Sequence, residues 1–379
     1  MRFSRLKIEN WRNFIKVDVP LTERVFVVGP NASGKSNFLD AFRFLRDIAS
    51  VGGGLQEAVR RRGGVSRLRC LAARRHSDLV IDVELINEHI SWRYRLQFSQ
   101  DNQSRPIIRN EEVWENSVSL FSRPDDQDKN DPERQTQTYL EQVTANKGFR
   151  DLADFFASVH YMHLVPQLVR EPDRSVGRHQ DPFGGDFLEQ IARQDKRIQE
   201  SRLRKIREAL KVAVPQLEEL ELARDEERGT PHLRGLYTHW RPKGAWQNED
   251  QFSDGTLRLI GLLWSLLDGK GLLLLEEPEL SLHPEIVQHI PQMMARLQRK
   301  TPRQIFISTH STDLLRDQGI GLDEVLLLQP TDEGTTVNIA GSDNEIVHLL
   351  EGGLTMADAV FPKTRPQMAQ QLSLFGDQA

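Results

Sequence analysis

The polar and apolar positions alternate from the first residues. Phe3, Leu6 and Ile8 fall on one side of a period of two, so residues 2–9 are predicted as a strand, with a second near 16–19. Val25–Val28 is a short continuous apolar run, the pattern of a strand buried on both faces. The period then lengthens: Phe38, Leu39, Phe42, Leu45 and Ile48 carry helical spacing over 35–48. After glycine breaks at 52–54 and 63–64, residues 79–86, 91–99 and 106–114 read as antiparallel strands. The polar, proline-bearing stretch 122–137 is expected to be a mobile loop. A strand is predicted at 157–165. A basic helix follows at 186–213, with Leu188, Ile191, Ile198, Leu203, Ile206 and Leu210 on its apolar face. Further helices are predicted at 256–268, 284–298 and 343–350, and further strands at 271–275, 305–307, 325–329 and 335–340. The C-terminal end reads as a flexible tail.

The alternation of strands and helices predicts an α/β protein. Its 379 residues suit an α/β core with an inserted lobe. The 38% hydrophobic and 28% charged content fits a packed core under a polar surface. No apolar run is long enough for a membrane span, and the N-terminus lacks the apolar core of a signal peptide. One cysteine, Cys70, excludes an intramolecular disulfide, and a cytoplasmic location is expected. A net charge of −5 means that any binding of nucleic acid must come from a local patch.

Chemistry concentrates at four places. Gly29-Pro30-Asn31-Ala32-Ser33-Gly34-Lys35-Ser36 fits G-x-x-x-x-G-K-[ST] between a predicted strand and a predicted helix. Backbone amides of such a loop, with the helix N-terminus, cradle phosphate. Lys35 reaches the β- and γ-phosphates and Ser36 binds Mg2+, with Asn31, Ser33 and Asn37 lining the site. Leu272–Leu275 ends in Glu276 and Glu277, one carboxylate for the magnesium shell and one to deprotonate the attacking water. Phe252-Ser253-Asp254-Gly255-Thr256 opens a helix, which makes Ser253 and Gly255 an anion site. Ile305–Ile307 runs into Ser308-Thr309-His310, a histidine at a strand end.

Taken in chain order, these four elements resemble the Walker A, signature, Walker B and switch-histidine motifs of ABC-type ATPases, the signature departing from its usual LSGGQ-like form. The resemblance implies an α/β P-loop NTPase fold with an antiparallel β subdomain and an inserted helical lobe. It divides the chain into 1–165 (nucleotide-binding lobe), 166–270 (helical lobe with the signature), 271–360 (second part of the nucleotide-binding lobe) and 361–379 (tail). It implies ATP and Mg2+ as ligands and a homodimer sandwiching two ATP molecules. Glu277, His310 and Lys35 would be catalytic, Ser36, Glu276 and Gln167 (a Q-loop glutamine) would hold the metal, and the partner copy would supply Ser253 and Gly255. Leu280–Pro284 occupies the D-loop position.

Two branches compete. About 220 residues lie between Gly34 and Ser253, more than in transporter subunits, and no membrane-coupling clue is present. The opening Leu6-Lys7-Ile8-Glu9-Asn10-Trp11-Arg12-Asn13-Phe14 resembles that of RecF-, SMC- and OLD-type ATPases, which places Arg12 close to the nucleotide. The preferred expectation is therefore an ATPase acting on or sensing DNA, in maintenance or repair or in antiviral defence. A transporter-type nucleotide-binding subunit and an ATP-gated scaffold of little turnover stand as alternatives. Neither a long coiled coil nor a Toprim-like carboxylate set follows, so any nuclease or other effector is expected on a separate subunit.

Two further features bear on partners. Arg60, Arg61, Arg62, Arg67, Arg69, Arg74 and Arg75 cluster around Gly63-Gly64, and a second basic set spans the helix at 193–211. Arginine pairs bidentately with phosphate, so both are candidate DNA contacts; a solvated basic face answering acidic neighbours is the plain alternative. Gln371-Leu372-Ser373-Leu374-Phe375 resembles the bacterial sliding-clamp-binding peptide, with Gln371, Leu372, Leu374 and Phe375 as its contact residues.

Overall fold

The computed structural model describes residues 1–73, 77–175, 181–238 and 245–365. Its strands form three sheets. The central one runs β15-β14-β3-β13-β12-β8. It comprises β3 (Arg24–Val28), β8 (His160–Met162), β12 (Leu273–Glu276), β13 (Ile305–Thr309), β14 (Val325–Thr331) and β15 (Gly334–Ile339). All its pairs are parallel except β14 with β15. The second sheet, antiparallel, runs β2-β1-β4-β5-β6-β7. Its strands are β1 (Arg2–Trp11), β2 (Phe14–Pro20), β4 (Leu79–Ile86), β5 (Ser91–Gln100), β6 (Pro106–Glu115) and β7 (Val118–Arg123). The third, β11-β10-β9, is formed by β9 (Leu217–Arg224), β10 (Pro231–Tyr237) and β11 (Ala245–Asn248).

The helices are α1 (Lys35–Ala49), α2 (Leu55–Arg61), α3 (Val65–Leu68), α4 (Asp126–Asn130), α5 (Arg150–Ala157), α6 (Pro166–Val169), α7 (Phe187–Ala192), α8 (Lys196–Ala213), α9 (Asp254–Leu267), α10 (Pro284–Val287), α11 (Ile290–Gln298), α12 (Asn344–Glu351) and α13 (Met356–Thr364).

Two cores follow from the pleat of the central sheet, because alternate residues of a strand face opposite sides. Val25, Val27, Leu272, Leu274 and Phe306 join α1 and the antiparallel sheet in one core. Phe26, Val28, Leu273, Leu275 and Ile307 join α8, α9, α11 and α13 in the other. Helix α1 lies in the first. Its Phe42 meets Phe306 at 5.1 Å and Phe3 at 4.9 Å between ring centroids, edge-on both times. This fixes the start of α1 at the ends of the parallel strands. Among the described residues no helix is long and apolar enough to cross a membrane.

Several elements depart from the sequence reading. Residues 122–137 are ordered rather than a mobile loop. Arg123 ends an additional strand and bridges the buried Glu111 and Asp128 at 3.3 and 2.6 Å. Polar content there reflects inward pairing. The strand expected over 157–165 shortens to β8, because Leu152, Ala153 and Phe156 supply a buried helical face that carries α5 through Ala157. The helix at 186–213 divides where Asp195 caps α8 by accepting the amides of Arg197 and Ile198. The helix at 284–298 divides at His289, with Pro291 in the first turn of α11. The lobe expected to be helical also holds the third sheet, and α13 runs past residue 360 under a Thr355–Asp358 capping box. The clamp-like peptide lies outside the described residues.

Candidate nucleotide site

The site is built at the C-terminal ends of β3, β12 and β13, where a parallel sheet presents its loops. Gly34 sits at φ 94°, a left-handed conformation, and an added Cβ would fall 2.2 Å from Asn13 Nδ2. Asn13, in the turn between β1 and β2, braces the loop. It donates to Ser33 O (2.8 Å) and Thr335 Oγ1 (2.7 Å) and accepts from Asn37 Nδ2 (2.8 Å). Arg12 is turned away, toward Asp40 Oδ2 and Arg67 O at 3.3 Å each, which ties it to α1 and α3. The residue that touches the loop from this segment is therefore Asn13. Its signal was present in the sequence as a short side chain with both a donor and an acceptor, one position beyond the arginine.

Lys35 is buried, and its Nζ donates to Gly29 O (3.1 Å) and Pro30 O (3.2 Å). Burial lowers its pKa, while Glu277, Glu276 and Glu279 pull the other way. Asn31 is exposed at the tip of the loop. The Ser33 and Ser308 hydroxyls are buried without a hydrogen-bond partner among the described residues. An ammonium held by carbonyls of its own loop, beside these hydroxyls, fits an anionic ligand that would replace those contacts.

Ser36 Oγ donates to Glu276 Oε1 at 2.5 Å and Tyr161 OH donates to Glu276 Oε2 at 2.5 Å. His163 Nδ1 lies 3.2 Å from Glu276 O. A hydroxyl and a carboxylate in contact are the oxygen donors a hard divalent cation takes, so Ser36 and Glu276 fit Mg2+. Gln167, on the one-turn α6, is exposed and makes no hydrogen bond among the described residues.

Glu277 adopts φ 44° and donates its amide to Ser308 O (3.0 Å), which ties it to β13. Its Oε1 lies 3.2 Å from His310 Nε2. The hydrogen bond from His310 holds the Glu277 carboxyl below the usual carboxylate range, so it stays ionised and free to accept a hydrogen bond. Ser253 caps α9, accepting the Thr256 amide at 3.1 Å. Gly255 is required by close approach: a Cβ there would lie 2.5 Å from Ser281 O. Arg170, just after α6, reaches Asp254 Oδ1 (2.6 Å) and Phe252 O (2.7 Å), joining the Gln167 segment to the start of α9.

The arginine cluster divides. Arg60 and Arg61 are exposed and share Glu57 at 2.7 and 2.8 Å. Arg62 is buried against Asp40 and Asp47, at 2.8 and 2.9 Å, which corrects its assignment as a nucleic-acid contact: it braces α1. Arg67 is exposed and Arg69 half-buried, while Arg74 and Arg75 lie outside the described residues. On α8, Arg202 pairs with Asp268 and Arg207 with Glu208, whereas Lys196, Arg197, Arg204 and Lys205 are exposed with no carboxylate partner among the described residues.

Residues 24–317 match the family described as "AAA domain, putative AbiEii toxin, Type IV TA system". A segment is 49% identical over 47 residues to the endonuclease GajA of Bacillus cereus (strain VD045), and covers 12% of this chain and 8% of that protein. The fold is similar to an SMC head bound to the C-terminal winged-helix domain of ScpA (TM-score 0.51, 13% identity, 89% of this chain and 97% of that one). It is also similar to an SMC head domain with a coiled coil and joint from Pyrococcus yayanosii (TM-score 0.50, 10% identity, 93% and 100%). The family match covers well over half of the chain, which therefore belongs to this AAA-domain family and is an ABC-type, SMC-like ATPase domain in fold.

Proposed function

We propose that the chain binds ATP with Mg2+ and hydrolyses it in a composite site between two copies, and that this cycle acts on or senses DNA. The observation that carries the reading is the meeting of Ser36, Glu276, Glu277 and His310 beside the phosphate loop.

On binding, Lys35 exchanges its loop carbonyls for the β- and γ-phosphate oxygens. Ser36 and Glu276 would hold Mg2+, which supplies neutralisation of phosphate charge when bound. Glu277, kept ionised by His310, orients a water and accepts its proton as the water oxygen bonds to the γ-phosphorus. The bond to the β–γ bridging oxygen breaks and leaves ADP and inorganic phosphate. His310 then faces both the base and the γ-phosphate. Ser253 and Gly255 sit at a helix N-terminus on the other lobe, so a second copy is the source that would present them to the same phosphate.

The DNA assignment is supported by the exposed cations of α8 that have no carboxylate partner among the described residues, and by the short match to an endonuclease. A separate nuclease or other effector subunit would supply cleavage, in DNA maintenance or repair or in antiviral defence. The test is Glu277→Gln in the full chain. It should lower turnover by about a hundredfold or more while ATP stays bound and a dimer accumulates. Hydrolysis at the wild-type rate would remove Glu277 as the base. Very slow wild-type turnover with ATP-dependent capture of a partner would turn the reading into an ATP-gated scaffold.

A further inference from the structure

Glu279 lies three residues past Glu276, in a turn closed by the Leu280 amide on Glu277 O (3.3 Å) and the Leu282 amide on Glu279 O (3.0 Å). Its side chain is 8% exposed, unusual for a carboxylate in a loop beside a reaction centre. Oε1 accepts two hydrogen bonds from the end of β13: Thr309 Oγ1 at 2.5 Å and the His310 amide at 3.1 Å. The Thr309 hydroxyl in turn accepts the Ser311 amide at 2.9 Å. One carboxylate thus ties the backbone on both sides of His310. The register explains the reach: Glu276 pairs with Ser308 across β12 and β13, so the turn after Glu276 folds over the residues that follow Ser308. The second oxygen, Oε2, is buried without a partner among the described residues, and burial raises the pKa of the group. A carboxylate kept under those conditions is held for what its bonded oxygen does.

We propose that Glu279 is a positioning residue, which fixes the His310 backbone so that the imidazole Nε2 stays 3.2 Å from Glu277 Oε1. The proposal rests on the ATPase reading for its effect on turnover. The bonds of Glu279 Oε1 go to Thr309 and to the His310 amide, not to Glu277. Glu279 acts through His310, and the Glu277–His310 contact fails when it is removed.

Glutamine at 279 keeps the accepting oxygen; alanine removes it. In the full chain with MgATP, Glu279→Ala should lower kcat about tenfold or more with KM within about threefold. Glu279→Gln should stay within about threefold of wild type in kcat. In a His310→Ala background, Glu279→Ala should change kcat by less than about twofold, because both variants remove the same contact. A merely structural brace would instead multiply the two losses. The His310 imidazole resonances, followed by NMR on nucleotide-free protein, need no turnover: they should move in Glu279→Ala and stay in place in Glu279→Gln. Where Glu279→Ala does not fold, Glu279→Asp, one methylene shorter, takes its place with the same expectation. Unmoved resonances in the alanine or aspartate variant overturn the proposal, as does a multiplicative double variant or a glutamine variant as poor as alanine. A wild-type chain without hydrolysis defeats the ATPase reading alone, and the NMR result still decides the role of Glu279.

Discussion

The antiparallel subdomain and the nucleotide edge of the parallel sheet are both dense in buried charge, and they treat it in opposite ways. Around β6 and β7, Arg123 gives its guanidinium to Glu111, Asp128, Gln137 O and Arg134 O, and Glu111 also accepts from Tyr94 OH and the Tyr139 amide. At the ends of β3, β12 and β13, the Ser33 and Ser308 hydroxyls and one oxygen of Glu279 are buried without partners among the described residues. A low-dielectric interior makes an unpaired polar group costly, so proteins complete such networks where nothing else arrives and leave them open where a ligand does. The Arg123 network is finished as it stands, although Asn110 Oδ1 in β6 and Arg95 Nε in β5 lack a partner among the described residues. The second region is incomplete in the way a binding site is.

The sharpest way to break this comparison is at Arg123. Replacing it with Met leaves Glu111 and Asp128 buried without their cation, and should cost about 3–5 kcal/mol in urea unfolding. A loss under about 1 kcal/mol would mean that the network is not closed in the sense argued. His160, in β8 at the edge of the parallel sheet, offers a pH test. The residue is half-buried, but its Nε2 is shut off from solvent, and this desolvation, with Arg303 nearby, lowers its pKa from 6.5 to about 4. The unfolded chain therefore takes up the proton first. Stability is held above about pH 6.5 and is lost as pH falls toward 4, by up to about 3 kcal/mol. The difference in unfolding free energy between wild type and His160→Gln should show that slope over this window and flatten above it.

Ser308→Ala should be nearly silent in the free protein, within about 0.5 kcal/mol, because the hydroxyl has no partner to lose. If ATP fills the site, the same variant should weaken ATP binding. A marked loss of stability without ATP would show that the hydroxyl is satisfied after all. The smallest effect expected is at Arg60 and Arg61. Both already pair with Glu57, so the double alanine variant should change the salt dependence of duplex binding by no more than about two counterions. Replacing Lys196, Arg197, Arg204 and Lys205 should change it more.

The sequence carried the parallel sheet well, and with it the position of the loop and carboxylates at the strand ends. Strands buried on both faces, such as Val25–Val28 and Leu272–Leu275, read as continuous apolar runs, and each runs directly into its functional residues. Arg62 was misread because a residue type does not reveal direction: the chain folds it inward on Asp40 and Asp47, whereas Arg60, two positions earlier, faces solvent. Residues 122–137 were misread for a related reason, since polar residues that pair with each other in the interior look like a loop in one dimension. Asn13 and Glu279 were missed because their roles exist only across long sequence separations, to Ser33 and to Thr309 and His310. The third sheet, over 217–248, alternates too weakly to stand out: its β9 buries only two of eight positions.

The central claim is that the site is completed by a second copy. Lys35→Ala removes the phosphate-loop half and Ser253→Arg blocks the signature half, and each alone should be inactive in ATP hydrolysis. When the two variant proteins are mixed, mixed dimers hold one site with an intact Lys35 from one chain and an intact Ser253 from the other. The account predicts that hydrolysis reappears on mixing; a mixture as inactive as its components, or a Ser253→Arg chain that hydrolyses ATP alone at the wild-type rate, would contradict it.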